Sequence, residues 1–582
     1  MIKKFLRKFV VIVIIFAWIF SGWPQILNFP PEVQKVKAAA GVQIAVGRAT
    51  ITSGTGVQTI ASGLSFQPKA YILLIASSTA DNTDSLHSML GAGMTDGTRQ
   101  FCMGSGEEDN QASSDVGRRG VINAVLCTHN VISGSEELTG VAVHSSFASD
   151  GFSINKTTAF VPTDNFVNYI AFGGDDLTVY ASTTDLADTV DTSFDVSTIG
   201  FEPDVVITTY NGSFDNVNGD ADQDDNSFSL GWAVNPDRQA SNNQFSMMTA
   251  SQDAQAQPNS TSRFDSVRAG TSFRDTAIDA SYEINTFDAS GFTVTTRLAA
   301  AVANEWMGYL ALNLGSSPEV YTVARTARTL TGDDVESGAS FQPVFLLGVG
   351  SATSTSANSN FMGGSLTIGM TDGTNTHSIG YYSQDIPTGT TNSNTATRMT
   401  NTRFMRTHLH TGGVDWDSTF SSFASNGWTL NYGDAALAAY QNAFLAIGAS
   451  IPAASAPTVT TNTATGVGVA SAILNGEITA TGGSNSTVRG FAWGTNSTLS
   501  SASATTTESG DFGTGTFSQN VSGLLAGITY YFRAYATNPN GTGYGSIDNF
   551  VAGTDTTVRR KLRLFEGFTV KLISGKIILH QQ

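Results

Sequence analysis

The sequence predicts an all-β protein built from three tandem, related β-sandwich domains of jelly-roll type. First, a Phe-Gln/Glu-Pro motif occurs three times, beginning at Phe66, Phe201 and Phe341, with offsets of 135 and 140 residues. Second, each copy continues with a glycine, a Phe-x-x-x-Gly-aromatic turn and an apolar closing strand. Third, the apolar runs are short, Gly, Ser, Asn and Asp clusters separate them, and none keeps a helical period. Framework repeated in this way predicts three copies of one domain.

The N-terminus, residues 1–40, resembles an export signal. Lys3, Lys4, Arg7 and Lys8 precede an apolar stretch from Phe9 to Phe20, and Ala38-Ala39-Ala40 offers a small-residue cleavage site. The stretch is short for a membrane-spanning helix, and an uncleaved anchor is the alternative. The expected location is therefore extracellular, at the cell surface, with membrane contact only through an uncleaved signal.

The three repeats are expected at 41–174, 175–315 and 316–450. Each has a common domain size and can bury a core of its own. Asp150-Gly151 and Asn426-Gly427 predict tight turns between strands, because these residues tolerate positive φ. The strand order does not follow from the sequence.

Charge excludes two classes of partner. The chain contains 30 basic and 48 acidic residues, of which 6 and 1 lie within residues 1–40. The remaining 24 basic and 47 acidic residues give a net charge of −23. Lys69 and Lys156 are the only lysines between residues 41 and 554. Such a surface repels nucleic acids and anionic lipids.

Cys102 and Cys127 both lie in repeat 1, and the other repeats contain none. Outside the cell such a pair often forms a disulfide, and closing this loop adds on the order of 3 kcal/mol in the loop-entropy model. Two buried free thiols are the alternative. Since the sister copies lack cysteine, neither catalysis nor metal binding by cysteine explains the fold.

A Pro/Ala-rich linker at 451–456 precedes a different module at 457–553. This module carries Leu474-Asn-Gly476, Gly490-Phe-Ala-Trp493-Gly494 and Gly523-Leu-Leu-Ala-Gly-Ile-Thr-Tyr530. On these residues it resembles a bacterial fibronectin type III domain. The resemblance implies a sandwich, a spacer role, and a corner hydrogen bond made by Tyr530. Ala526 stands where the family usually has proline.

The C-terminal segment, 554–582, is basic, unlike the rest of the chain. Phe568 to Ile573 and Lys576 to His580 flank Ser574-Gly575, which predicts a β-hairpin. An isolated hairpin is marginal in water. We therefore expect it either to attach the protein to the envelope or a partner, or to fold back on the chain.

No complete catalytic motif is present, which favours a protein that is not an enzyme. Trp416 has no counterpart in the other repeats, and Asp415 and Asp417 flank it in a Gly-rich region. An exposed Trp between two acceptors is typical of a sugar-stacking site, so these three residues are the candidate ligand-binding residues. A Trp folded onto the sandwich is the alternative.

The sequence contains two groups of candidate metal ligands. Asp220, Asp222 and Asp224 place carboxylates at alternate positions, as a calcium loop does, although the EF-hand glycine and glutamate are missing. A solvated acidic loop is the alternative. His377, His408 and His410 could bind a transition metal, with surface histidines as the alternative. No other cofactor is expected.

These observations predict an exported, non-enzymatic surface protein that binds a glycan or a surface protein. Tandem copies of a weak site would gain avidity. A structural surface-layer or fibre component and a secreted polysaccharide-acting enzyme are the alternatives.

Overall fold

The structure is a computed structural model, and it describes residues 41–581 except for short segments. Those segments are 79, 87, 109–115, 133–134, 161–164, 213–224, 240–242, 253–259, 275–276, 299–304, 316–318, 353–354, 384–394, 409–413, 449–454, 483, 501–503, 555–567 and 574–575. The predicted all-β class is confirmed, since 68% of the described residues lie in strands and none of them in helices. The chain forms two compact units that divide between residues 449 and 450.

Each repeat contains ten or eleven strands. Those of repeat 1 are β1 (Gln43–Ile51), β2 (Gly56–Ala61), β3 (Pro68–Ala76), β4 (Asp84–Leu86), β5 (Ser88–Thr95), β6 (Gln100–Glu107), β7 (Val116–Ile122), β8 (Leu126–Ile132), β9 (Ser135–Ala148), β10 (Gly151–Thr158) and β11 (Asn165–Gly173). Those of repeat 2 are β12 (Thr178–Asp185), β13 (Thr192–Val196), β14 (Val205–Tyr210), β15 (Asn226–Val234), β16 (Gln244–Ser251), β17 (Thr261–Asp265), β18 (Gly270–Arg274), β19 (Ala277–Asp288), β20 (Gly291–Leu298) and β21 (Trp306–Asn313). Those of repeat 3 are β22 (Val320–Thr326), β23 (Gly332–Glu336), β24 (Pro343–Gly350), β25 (Ser359–Met362), β26 (Gly364–Thr371), β27 (Thr376–Ser383), β28 (Thr395–Thr400), β29 (Met405–His408), β30 (Val414–Ala424), β31 (Gly427–Asp434) and β32 (Gln441–Gly448).

The three repeats share one topology of two antiparallel sheets. In repeat 1 the large sheet has the order β1-β11-β3-β5-β6-β7 and the small sheet β2-β10-β9-β8. Repeat 2 follows with β12-β21-β14-β15-β16-β17 and β13-β20-β19-β18. Repeat 3 follows with β22-β32-β24-β26-β27-β28 and β23-β31-β30-β29. Such a double-sheet arrangement is what the short-strand pattern predicts.

The glycine that recurs in every repeat is explained by the packing of the two sheets. A Cβ added at Gly93 would overlap the carbonyl of Val125, on the chain that leads into the small sheet. Gly231 and Gly369 meet the carbonyls of Ala269 and Phe404 in the same way. The aromatic residues of the Phe-x-x-x-Gly-aromatic turns are buried as well: Phe152, Phe292 and Trp428.

Each repeat buries apolar side chains between its own sheets, and the three also share a further core. One continuous cluster of buried side chains joins the large sheets of all three repeats, and it includes Ile72, Leu310 and Leu347. The copies are therefore not beads in series but one compact unit with a common interior. Phe172 of repeat 1, for example, meets Phe345 of repeat 3 edge to face, at 6.2 Å between ring centroids.

The large sheets also exchange strands. β25 of repeat 3 pairs with β17, the outer strand of the large sheet of repeat 2. β4 of repeat 1 pairs with β28, the outer strand of repeat 3. The corresponding segment of repeat 2 lies between β14 and β15 and falls largely outside the described residues. Each exchanged strand satisfies backbone groups at an edge that would otherwise be exposed.

A repeated side-chain contact shows that the repeats close into a ring. The Asp96 Oδ2 accepts a hydrogen bond from the Ala181 amide of repeat 2, at 3.1 Å. The Asp372 Oδ2 accepts one from the Val46 amide of repeat 1, at 3.0 Å. Between repeats 2 and 3, the Gln239 Oε1 accepts from the Thr322 amide at 2.7 Å. The three amides occupy equivalent places on β12, β1 and β22, so the unit has approximate threefold symmetry.

Asp96 and Asp372 illustrate how the sequence indicated only part of a role. The Oδ1 atom of each accepts two backbone amides of its own turn, which is a typical role of aspartate in a tight turn. The second oxygen of each carboxylate binds the neighbouring repeat, which alignment of the repeats does not reveal.

The second unit contains a separate sandwich. Its strands are β33 (Thr458–Thr465), β34 (Ser471–Ala480), β35 (Ser486–Gly494), β36 (Ala504–Phe512), β37 (Gly515–Ser522), β38 (Thr529–Asn538), β39 (Gly541–Tyr544) and β40 (Asp548–Val551). They form the sheets β33-β34-β37 and β36-β35-β38-β39, with β40 also paired to β38. The Leu525 amide donates to the Tyr530 hydroxyl at 3.0 Å, which is the expected corner hydrogen bond. The family resemblance itself stays a prediction.

At the C-terminus β41 (Phe568–Ile573) and β42 (Lys576–Gln581) pair as the predicted hairpin. No helix in the described part of the chain is long and apolar enough to cross a bilayer. The predicted signal at 1–40 lies outside the described residues.

Candidate functional site

Trp416 is buried, which corrects the expectation of an exposed sugar-stacking ring. It lies on β30 rather than in a loop, and none of its surface is accessible. Its indole stacks on Tyr432, at 5.5 Å between ring centroids, within the core of repeat 3. The lack of a counterpart in the other repeats reflects local core packing, so this ring offers no face to a ligand.

The two aspartates beside Trp416 are buried too. The Asp415 Oδ1 accepts a hydrogen bond from the Leu437 amide at 3.1 Å, and burial raises the pKa of this carboxyl. Asp417 forms an ion pair with Arg403 at 3.0 Å. Both carboxylates therefore serve internal contacts in repeat 3 and do not frame an open site.

The candidate metal residues stand as follows. Asp220, Asp222 and Asp224 lie outside the described residues, and so does His410. Within the described part of the chain, no group of three or more His, Cys, Asp or Glu side chains could hold a metal ion. His408 is buried and stacks on Tyr382 at 5.7 Å, and burial lowers its pKa to about 4.

Cys102 and Cys127 form a disulfide, with their Cα atoms 6.0 Å apart. The bond joins β6 of the large sheet to β8 of the small sheet in repeat 1. Both residues are buried in a small apolar cluster with Val121. The disulfide thus fixes the spacing of the two sheets in one repeat and is a structural element.

The ring has three seams, one between each pair of repeats, and their packing can be compared directly. β6, β16 and β27 occupy equivalent places, and their second residues are Phe101, Phe245 and His377. Two seams thus have phenylalanine at this place and one has histidine. We call the seams first (repeats 1 and 2), second (repeats 2 and 3) and third (repeats 3 and 1).

The first seam is apolar at this position. Phe101 is fully buried and meets Trp306 of repeat 2 edge to face, at 6.3 Å between ring centroids. A Cβ at Gly308 would overlap the Phe101 ring, so glycine is required opposite it. The neighbouring position on β12 is Thr183, which pairs with Gly308.

The second seam is packed with apolar residues in the same way. Phe245 is fully buried and belongs to the shared core, as does Ala443, the residue equivalent to Gly308. Phe245 packs edge to face on Trp232, at 6.3 Å, and the Trp232 indole donates across the seam to the Thr322 hydroxyl at 2.7 Å. At this position the second seam is thus closed by apolar contacts and by the hydrogen bond of the Trp232 indole.

The third seam differs, because polar residues replace this apolar packing. His377 takes the place of phenylalanine, Asn168 takes the place of Gly308, and Arg48 takes the place of Thr183. The Arg48 Nε donates to the Asn168 Oδ1 at 2.9 Å, and the Arg48 Nη1 forms an ion pair with Asp81 at 2.6 Å. Polar groups therefore occupy a place that is apolar in the other two seams.

This polar patch opens into a groove of about 440 Å³ between repeats 3 and 1. Its lining residues are Val46, Gly47, Arg48, Ala49, Thr50, Tyr169, Asn375, His377 and Asn401. The volume falls within the range of small-molecule sites. We call it the third-seam groove.

Two buried nitrogens of residues that line the third-seam groove have no hydrogen-bond partner among the described residues: the Arg48 Nη2 and the His377 Nδ1. The Arg48 side chain is 9% exposed and His377 is 7% exposed. Burial, followed by the charge of Arg48, lowers the pKa of His377 to about 4, so its imidazole is neutral at ordinary pH. Buried polar atoms without a partner are costly, so the polar residues of this seam reduce the stability of the ring.

A larger groove of about 830 Å³ lies along the first seam, and two of its charged groups, Lys69 and Asp96, bind within the protein. The Lys69 ammonium donates to the Leu177 carbonyl at 2.7 Å. Asp96, also in its lining, binds Ala181 and its own turn.

A buried carboxyl, Glu107, lies where all three repeats meet. Glu107, Ser251 and Ser383 are the last residues of β6, β16 and β27, so they occupy equivalent places near the pseudo-threefold axis. The Glu107 carboxylate accepts hydrogen bonds from Ser383 at 2.6 Å, Tyr381 at 2.7 Å and Ser251 at 3.0 Å. Burial raises the pKa of Glu107, while these hydroxyls oppose the shift.

Sequence reasoning missed the third-seam groove because its residues come from two repeats. A signal was nevertheless present. His377 and Phe101 both lie eight residues after the recurring glycine, at Gly369 and Gly93, and a histidine in place of an aromatic core residue marks a departure from the framework. Which side chains face it across the seam follows only from the ring.

Comparison with models of known protein families gives no match for this chain, and comparison with curated proteins gives none either. Functional inference therefore rests on the geometry of the site.

Proposed function

We propose that this chain is an exported, non-enzymatic surface protein whose ring of three repeats recognises a ligand, in adhesion or glycan binding. The observation that carries the proposal is the third-seam groove. One of three equivalent seams replaces apolar packing by arginine, histidine and asparagine, and each of these side chains has a buried nitrogen without a partner among the described residues. Departures of this kind from a consistent framework are expected at functional sites.

The sequence supports the location. The basic and apolar N-terminal pattern is that of an export signal, and the disulfide in repeat 1 suits an oxidising environment. The module at 457–553 would act as a fibronectin-like spacer, and the basic C-terminal hairpin would serve attachment to the envelope.

The shared core suggests that the three repeats form one scaffold and do not act as three separate weak sites. Three sandwiches fused around one interior form a rigid scaffold, and rigid scaffolds hold binding residues more accurately than loops do. Since the seams are not equivalent, we expect one site per chain and not three.

The experiment is a glycan-array screen with the purified chain lacking residues 1–40, run with calcium and with a chelator. We expect reproducible binding to one class of sugar. Loss of binding on chelation would assign a role to Asp220, Asp222 and Asp224. A blank array from folded, monodisperse protein would overturn the proposal, and ordered self-assembly of that protein would then favour the structural alternative.

A further inference from the structure

We propose that the third-seam groove is a site for a neutral sugar, bound through Arg48, His377 and Tyr169. This inference rests on the proposed function, because it names the ligand class and the residues of that same groove.

The stability of the ring does not explain the third seam. In the first two seams a buried phenylalanine packs opposite glycine or alanine. The fold could therefore also accommodate this apolar packing at the third seam. Replacing buried ion pairs by apolar groups of similar volume is often neutral or stabilising. The third seam, with Arg48, Asn168 and His377, should therefore be less stable than the first two seams. We infer that these polar residues are present because they bind a ligand.

The groove combines donors and acceptors in the way that hydroxyl groups require. Arg48 and His377 both line it, and within the described residues the buried Arg48 Nη2 and His377 Nδ1 have no hydrogen-bond partner. Arginine contributes only donors, whereas a neutral imidazole nitrogen either donates or accepts according to its tautomer. Tyr169 contributes a phenol to the lining, and the equivalent residue in repeat 3 is Phe444, which has no hydroxyl.

Charge favours a neutral sugar over an acidic one. The Arg48 guanidinium is paired with Asp81 at 2.6 Å. Asp372 lies near the same place, since its Oδ2 accepts the Val46 amide at 3.0 Å. With two carboxylates near a single arginine, and a net charge of −23 beyond residue 40, the groove does not attract anions.

The shape is consistent with this class. The backbone of β1 from Val46 to Thr50 forms one wall, and the exposed side chains of Asn375 and Asn401 lie at the rim. Amide side chains at the rim can bind further hydroxyls of a second sugar unit. We therefore expect terminal or short neutral glycans to bind, without a requirement for metal at this site.

The test converts the third seam into the first. The triple variant Arg48→Thr, Asn168→Gly, His377→Phe gives the third seam the residue types of the first seam. These are the types found there at Thr183, Gly308 and Phe101. We expect it to keep or raise the unfolding midpoint and to lose at least tenfold in affinity for the array hit. Tyr169→Phe copies Phe444, removes one oxygen, and should bind several-fold more weakly without a change in stability.

Phe101→His is the matched control. It makes the first seam polar, so it should lower stability while binding stays within twofold of the unmodified chain. Calorimetry with free methyl glycosides of neutral hexoses and with the matching uronic acids separates the ligand classes. Comparison of free glycosides with immobilised glycans shows whether a single sugar unit is sufficient.

Three results would overturn the inference. If the folded triple variant, or Tyr169→Phe where the triple variant does not fold, binds neutral sugar as the unmodified chain does, the site lies elsewhere and the proposed function stands. If only uronic acids bind, the ligand class is wrong. If no glycan binds at all, the proposed function fails together with this inference.

Discussion

Glu107 should make the stability of the ring depend on pH, and Glu107→Gln should remove the part of this dependence that Glu107 contributes. The carboxyl is fully buried at the junction of the three repeats, and burial raises its pKa above the ordinary value of 4.5. The folded state therefore holds this proton more tightly than the unfolded state does. As the pH rises from the unfolded pKa to the folded pKa, folding takes up a proton and stability falls.

The size of the effect follows from linkage. One proton taken up on folding lowers the free energy of unfolding by about 1.4 kcal/mol per pH unit within that window. Above the folded pKa the loss is complete, and the carboxylate then depends on the hydroxyls of Ser251, Tyr381 and Ser383. The glutamine variant keeps a carbonyl acceptor and cannot ionise, so it should be more stable than the unmodified chain at neutral pH.

The assay is denaturant unfolding of the chain lacking residues 1–40, measured from pH 4 to pH 9. Ser383→Ala serves as the control, because it removes one hydrogen bond to the ionised carboxylate and keeps the titrating group. We expect this variant to lose most stability at neutral pH. Equal pH dependence in the unmodified chain and in Glu107→Gln would refute the reasoning.

Further predictions follow from burial and packing. Phe101→Ala should cost about 3–5 kcal/mol, and calorimetry should show residues 41–449 unfolding in one transition; separate transitions would contradict the shared core. Trp416→Ala should lower the stability of the ring by a similar amount, since the indole is buried on Tyr432, and unchanged thermal unfolding would count against that placement. Tyr530→Phe should destabilise the second unit by about 1 kcal/mol through loss of the Leu525 hydrogen bond, as chemical denaturation would measure.

Local sequence signals predicted the framework because the forces behind them act within one repeat. Gly93 recurs at Gly231 and Gly369 because a facing carbonyl excludes a side chain in each case. Turn residues and alternating apolar runs likewise follow from short-range geometry. These constraints are copied with the repeat, so comparing the copies reveals them.

Contacts between repeats could not be predicted in the same way. No sequence pattern indicates that β4 and β25 leave their own repeats and join the sheets of other repeats. Trp416 was misjudged because uniqueness among the copies was read as function, whereas its burial depends on Tyr432, a residue of the same small sheet. Uniqueness among the copies therefore does not by itself mark a functional residue. His377 differs from Trp416 because it lines a groove between two repeats.

Fusion of three repeats into one chain permits an asymmetry that three identical subunits could not have. In a symmetric trimer every copy would carry the residue found at position 107, and three carboxyls would meet near one axis. Ser383→Glu tests this argument, because it places a second carboxyl at hydrogen-bonding distance from Glu107, where Ser383 now donates at 2.6 Å. Two buried carboxyls cannot both ionise at that separation, so we expect a loss of several kcal/mol at neutral pH that acidification partly reverses. Unfolding midpoints at pH 5 and pH 8 measure this loss of stability. If Ser383→Glu is as stable as Ser383→Ala at both pH values, two carboxyls can lie near the axis, and avoiding them does not explain the fusion of the repeats.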